Sequence, residues 1–215
     1  MPESACQIRS TAHPLTLELL ERFGGGLAAP SANRFGSVSP TSAADVVEEL
    51  GDALDPERDV ILDGGPSPVG VESTIVDCVA RPPQILRAGA ITPEQVHTLL
   101  GDVADAGGPS RASGMLTSHY APRCAVLLAD DADRAAALAR IHPDSEVIDR
   151  TDDLGAYAHD LYATLRDADR RGVPTVIAVL PPAAGLGHAI RDRLTKAAAP
   201  RGGDPPLGPT GGSRP

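Results

Sequence analysis

Ser31, Asn33, Ser37, Ser39 and Thr41 crowd one short stretch of this 215-residue chain. Gly36 lies among them, Pro30 precedes them and Pro40 falls near their end. A loop of this kind offers many short donors and free backbone N–H groups, which a polyanion such as a nucleotide phosphate requires. Its polar groups need partners, so it is not bulk core. An ordinary Ser/Pro/Gly turn has the same composition, and that alternative stays open on composition alone. Arg9, Ser73 with Arg87, and Tyr120 are the other polar positions that stand out. A guanidinium can hold a carboxylate or a phosphate, but taken singly each of these residues also reads as ordinary surface.

Several chemistries are excluded. Neither Ser31 nor Ser73 has a His/Asp partner at a spacing that would make it a nucleophile. No GxxxxGK[ST] run occurs. Gly185-Leu186-Gly187-His188-Ala189-Ile190 resembles half a dinucleotide fingerprint, but no third Gly follows, and it reads as a helix-start turn. Cys6, Cys78 and Cys124 are far apart, and the six histidines form no HExxH pattern, so neither a zinc site nor a disulfide framework is indicated. The net charge of −10 and pI of about 4.9 argue against broad nucleic-acid binding, yet allow a local basic pocket.

The elements that must position these groups follow from pattern. With 41% hydrophobic and 22% charged residues the chain is globular, and with 2% aromatics Ala, Val and Leu must build its core. His13-Pro14 opens a helix that Gly24-Gly25-Gly26 stops. Residues 27–29 read as a short buried strand leading into the polar loop. Ser42, with Asp45 three residues on, caps the next helix. Residues 59–63 read as a buried strand. Residues 73–78 and 84–87 read as a hairpin, and Thr92-Pro93 begins a helix running to Leu100. Residues 101–119 form a Gly/Ser/Asp/Ala-rich linker. Beyond it, strands at 125–129, 146–148 and 175–180 alternate with helices at 131–141, 154–171 and 188–199, which implies a small parallel sheet. Residues 201–215 read as a disordered tail. No stretch of 18 apolar residues and no leader pattern is present, so a soluble, cytoplasmic protein without a membrane partner is expected.

The combination resembles a known family. Ala29-Pro30-Ser31-Ala32-Asn33, Ser39-Pro40-Thr41, Asp63-Gly64-Gly65, Gly70-Val71-Glu72-Ser73-Thr74 and Ile85-Leu86-Arg87-Ala88-Gly89 occur in that order. Together they resemble the YrdC-type threonylcarbamoyl-AMP synthases. Gly114-Met115 with His119-Tyr120-Ala121-Pro122, and Gly185-Leu186-Gly187 with residues 189–194, resemble the longer subtype with an added C-terminal domain. The resemblance implies an α/β fold: part of a twisted open sheet with helices, then a small Rossmann-like parallel α/β domain. It implies a catalytic portion over 1–101, a lid linker over 102–122, the added domain over 123–200 and a tail over 201–215.

It also implies a reaction. L-threonine, bicarbonate and ATP give threonylcarbamoyl-AMP and pyrophosphate, for the threonylcarbamoyladenosine modification of tRNA, which makes tRNA a partner to consider. Carried over by motif, Arg9, the Ala29 backbone and Ser73 would hold threonine. Ser31, Ser39, Arg87 and Tyr120 would hold ATP, with Asn33 ordering the loop. No residue is assigned as a nucleophile or metal ligand, and magnesium is expected to come with ATP. Family members carry a further stretch ahead of the position of Arg9, with a Lys and an Arg that contact ATP. Here Met1 lies eight residues upstream of Arg9 and no Lys precedes Lys196. Roughly the first half of the catalytic domain is therefore expected to be absent. The alternative function is a catalytically inactive, truncated remnant that binds a nucleotide or RNA.

Overall fold

The computed structural model describes residues 8–107 and 120–200. In chain order the elements are α1 (Pro14–Phe23), α2 (Ala43–Leu50), β1 (Ile75–Asp77), β2 (Gln84–Arg87), α3 (Pro93–Leu100), β3 (Ala104–Asp105), β4 (Ala125–Ala129), α4 (Ala132–Ile141), β5 (Ser145–Ile148), α5 (Leu154–Arg171), β6 (Thr175–Val179) and α6 (Gly187–Ala198). They build a mixed sheet, β1-β2-β3, and a parallel sheet, β4-β6-β5.

Local chemistry sets the element ends. Pro14 sits in the first turn of α1, where no intrahelical N–H is lost, and Gly24 closes that helix at φ 71°. Ser42 and Asp45 form a reciprocal capping box on α2, as Thr92 and Gln95 do on α3. β1 and β2 pair antiparallel, with Val76 opposite Ile85. β3 adds to β2 in parallel, and Ile85, Val96 and Val103 make a small core beneath them.

In the parallel sheet the last strand, β6, lies in the middle. Val176, Ile177, Ala178 and Val179 are therefore covered on both faces, and the strand reads as an unbroken apolar run. α5 and α6 supply most of the main core through Tyr157, Leu161, Leu165, Ile190 and Leu194. Tyr157 satisfies its buried hydroxyl by donating to the Val179 carbonyl at 2.9 Å.

The two sheet units meet at α5 and α6. Gly70 lies so close to α5 that a Cβ there would stand 2.1 Å from the His159 carbonyl oxygen, and its φ of 79° also favours glycine. Further along α5, the buried Arg166 donates to the Val38 carbonyl at 2.9 Å and pairs with Asp45 at 3.3 Å. Val38 belongs to the same apolar cluster as Tyr120 and Tyr162.

Two expected strands are corrected. Residues 27–29 and 59–63 are not strands, because no strand among the described residues pairs with them. Most of their side chains stay in solvent, with Leu27 at 42%, Val60 at 80% and Leu62 at 55% exposure, while Ile61 is half-buried. α1, which runs near them, buries no residue. The strand expected over 73–78 contracts to Ile75–Asp77. β3 falls at the start of the expected linker segment, where it extends the mixed sheet. Most of that segment, 108–119, and the tail at 201–215 lie outside the described residues.

Candidate functional site at the junction of the two sheets

The polar residues singled out in the sequence do not all come together. Ser39, Ser73, Arg87 and Tyr120 converge where the mixed sheet meets α5 and α6. Arg9, Ala29 and Ser31 sit on exposed irregular chain outside that network.

Arg87, at the end of β2, is buried to 5% exposure. Its Nε and Nη2 donate to the Ser73 carbonyl at 3.1 and 2.9 Å, and Nη2 approaches Ser73 Oγ at 3.4 Å. The guanidinium thus bridges the Ser73 segment and the hairpin. Gly89 makes that approach possible, because a Cβ there would stand 2.2 Å from the Glu72 carbonyl oxygen.

The 31–41 loop finds partners of its own. Asn33 Nδ2 donates to the Arg34 and Ser37 carbonyls at 2.8 and 3.1 Å, which closes the turn. The Ala121 N–H donates to the Gly36 carbonyl at 2.9 Å, tying the loop to the segment after Tyr120. Ser39 Oγ donates to Glu72 Oε1 at 2.7 Å.

Glu72 is the centre of the junction. Besides Ser39 it accepts from the Tyr162 hydroxyl, 3.0 Å from each of its oxygens, and from Arg193 Nε at 2.8 Å. The Arg193 side chain has no exposed surface; its Nη1 donates to the Ala88 carbonyl and to Asp192, each at 2.8 Å. Its guanidinium lies 5.6 Å from the centre of the Tyr120 ring, and that ring lies 5.5 Å from Tyr162. Tyr120 is itself buried, with φ at 61°, a conformation that is uncommon away from glycine.

These contacts fix the charge states. Burial raises the Glu72 carboxyl, but the Arg193 charge and hydrogen bonds from Arg193 and Ser39 outweigh it, so the group is held below the ordinary glutamate range. Burial, then the Glu72 charge, pushes the Tyr162 phenol well up. Burial and Glu72 also raise Tyr120, while Arg193 and Arg87 pull it back. At neutral pH Glu72 is thus a carboxylate paired with the Arg193 guanidinium, and Tyr120 and Tyr162 are neutral phenols. Such a set can orient anions and donors. Among the described residues it contains no serine paired with a histidine base.

Glu72, Tyr162 and Arg193 were not singled out from sequence. The available signal was a charged residue on the apolar stripe of a helix. Arg193 shares the buried face of α6 with Ala189, Ile190 and Ala197, and Arg166 shares that of α5 with Tyr162 and Leu165. The half fingerprint at 185–190 is a helix-start turn: α6 begins at Gly187, and a Cβ there would stand 1.9 Å from the Pro182 carbonyl oxygen. Among the described residues no three His, Cys, Asp or Glu side chains are grouped to hold a metal ion, and no helix is long and apolar enough to cross a membrane.

This is an α/β protein of two sheet-bearing units whose polar site lies where they join. Residues 91–199 match the family described as "Threonylcarbamoyl-AMP synthase, C-terminal domain", and residues 3–89 match the one described as "Telomere recombination". The chain belongs to the threonylcarbamoyl-AMP synthase family. It is 33% identical to the threonylcarbamoyl-AMP synthase of Bacillus subtilis over 90% of this chain and 63% of that protein. It is 30% identical to that of Pyrococcus abyssi, over 90% and 64%. The structure of P. abyssi Sua5 complexed with L-threonine superposes with a TM-score of 0.76 at 30% identity, covering 87% of this chain and 62% of that one. The chain thus spans a little under two thirds of the length of these relatives.

Proposed function

We propose that this chain carries out threonylcarbamoyl-AMP synthesis as a nucleotidyltransferase, acting on L-threonine, bicarbonate and ATP in support of tRNA modification in the cytoplasm. The observation that carries the reading is the grouping of Ser73, Arg87 and Tyr120 about the Glu72–Arg193 ion pair: Ser73 follows Glu72 in the chain and accepts from Arg87, and the Tyr120 ring faces Arg193. The relatives' names supply the reaction, and the P. abyssi complex supplies threonine as a ligand of that relative.

The chemistry suits such a site. The threonine amine adds to the carbon of bicarbonate, water leaves, and a carbamate results. A carbamate oxygen then bonds to the α-phosphorus of ATP while the α–β bridging bond breaks, and pyrophosphate departs with the bonding electrons. No protein nucleophile is needed. Cationic donors must meet charge developing at the α-phosphate, and water must be kept from a labile carbamate. Arg87 is the cation positioned for the nucleotide, and Ser73 the hydroxyl positioned for threonine. Ser39 and Tyr120 complete the nucleotide side, and Asn33 holds the loop. Arg9, Ala29 and Ser31, on exposed irregular chain, would add the remaining threonine and nucleotide contacts. Magnesium fits as an ion carried on the ATP phosphates, since hard oxygen ligands from the substrate suffice for it.

The exposure of Arg9, Ala29 and Ser31 favours a second reading, a chain that binds the nucleotide without turning it over. Pyrophosphate release with threonine and bicarbonate each added or withheld separates the two. Release that requires both supports synthesis. ATP binding by calorimetry with no release supports binding alone.

A further inference from the structure

Arg193 makes three contacts beyond its own helix. They fall on Glu72, the residue before Ser73; on the carbonyl of Ala88, the residue after Arg87; and on the ring of Tyr120. Each is therefore a proposed ligand contact or its immediate chain neighbour. Through Glu72 the same guanidinium also reaches Ser39.

Packing alone does not call for an arginine here. The site lies between Ile190 and Leu194 on the buried face of α6, and a well-packed apolar side chain commonly stabilises such a position as well as a buried ion pair does. Nη2 of Arg193 is buried without a hydrogen-bond partner, a cost that an apolar residue would not carry. An apolar residue could not hold a carboxylate, a carbonyl and a ring in fixed relation.

We propose that Arg193 is a positioning residue: one guanidinium from the second sheet unit sets the relative placement of Ser73, Arg87 and Tyr120, and so makes substrate binding depend on that unit. This rests on the synthase reading above. The unit around β4, β5 and β6 then serves as the platform on which the binding groups of the first are aligned.

The test is steady-state pyrophosphate release by the full chain over a range of ATP and threonine concentrations. Arg193→Gln is expected to raise KM for both substrates by about tenfold or more, because misaligned contacts lose binding in the ground state and the transition state alike. Arg193→Lys, which keeps the charge toward Glu72 but not the fork or the stacked plane, is expected to fall between. Leu161→Ala in the α5 core serves as the comparison. It should lower stability and the amount of active protein while leaving KM unchanged. A merely structural Arg193 would behave as Leu161 does. Should Arg193→Gln fail to fold, Arg193→Lys decides. Wild-type KM values in a folded Arg193 variant overturn the positioning role. A wild-type chain with no release dependent on threonine and bicarbonate overturns the synthase reading and this role with it.

Discussion

Arg193 Nε stands 2.8 Å from Glu72 Oε2, although the two residues lie 121 positions apart in the chain. Both are well shielded, Arg193 completely and Glu72 to 20% side-chain exposure. A pair of this kind is costly to break from one side, because the remaining charge has no water to turn to. Glu72→Gln is therefore expected to destabilise the fold by about 3 kcal/mol. Glu72→Gln combined with Arg193→Leu should recover part of that loss. Urea unfolding of both single variants and the double variant checks it; a double loss equal to the sum of the two single losses would show that the pair is not coupled.

Acid should loosen the same junction. Burial raises the Asp45 carboxyl, but hydrogen bonds from the Thr41 backbone, Ser42 and Arg170, and the Arg166 charge, lower it overall to about 2 from an ordinary 3.8. A depressed carboxylate contributes fully above its unfolded value and loses that contribution as pH falls through the folded one. The window is thus pH 3.8 down to about 2, and the stabilisation at stake is about 2 kcal/mol. Glu72 contributes in the same direction below the ordinary glutamate value. Unfolding free energy measured at stepped pH should fall across this window, and Asp45→Asn should flatten part of the fall.

Gly70→Ala should strain the contact between the Gly70 turn and α5. The new Cβ would stand 2.1 Å from the His159 carbonyl oxygen, and the positive φ adds strain. Strain at one such residue costs about 1–3 kcal/mol. Thermal melting should show a lower midpoint. Gly65→Ala, also at positive φ but in open space, should cost less; equal costs would mean that conformation alone, rather than the contact with α5, sets the effect.

Tyr120 offers a finer division. Tyr120→Phe keeps the ring against Arg193 and Tyr162 and removes the hydroxyl, whereas Tyr120→Ala removes both. Stability should fall with Ala by about 3 kcal/mol or more and with Phe by only about 1 kcal/mol, the loss of the hydroxyl's hydrogen bond with Arg87. If the hydroxyl also contacts the nucleotide, Phe should raise KM for ATP while KM for threonine stays unchanged.

Much of this was legible in the sequence because local signals and tertiary packing agree. The helices at α1, α2 and α3 start and stop where Pro14, Ser42, Thr92 and Gly24 dictate. The apolar runs at 125–129 and 175–180 became the paired parallel strands β4 and β6, the second ending at Val179. The runs at 27–29 and 59–63 carry a similar apolar signal but remain irregular, since a strand exists only with a partner and pairing is non-local information. The site was legible in part, through motif order. Its centre was not, because Glu72, Tyr162 and Arg193 meet across sheets, and spacing along one chain does not encode that meeting.

Pyrophosphate release by the purified chain tests the central claim most directly. ATP is supplied throughout, with threonine and bicarbonate each added or omitted. Synthesis predicts release only when both are present, with threonylcarbamoyl-AMP formed in equal amount. Absence of release from folded protein, or release indifferent to threonine, would contradict it.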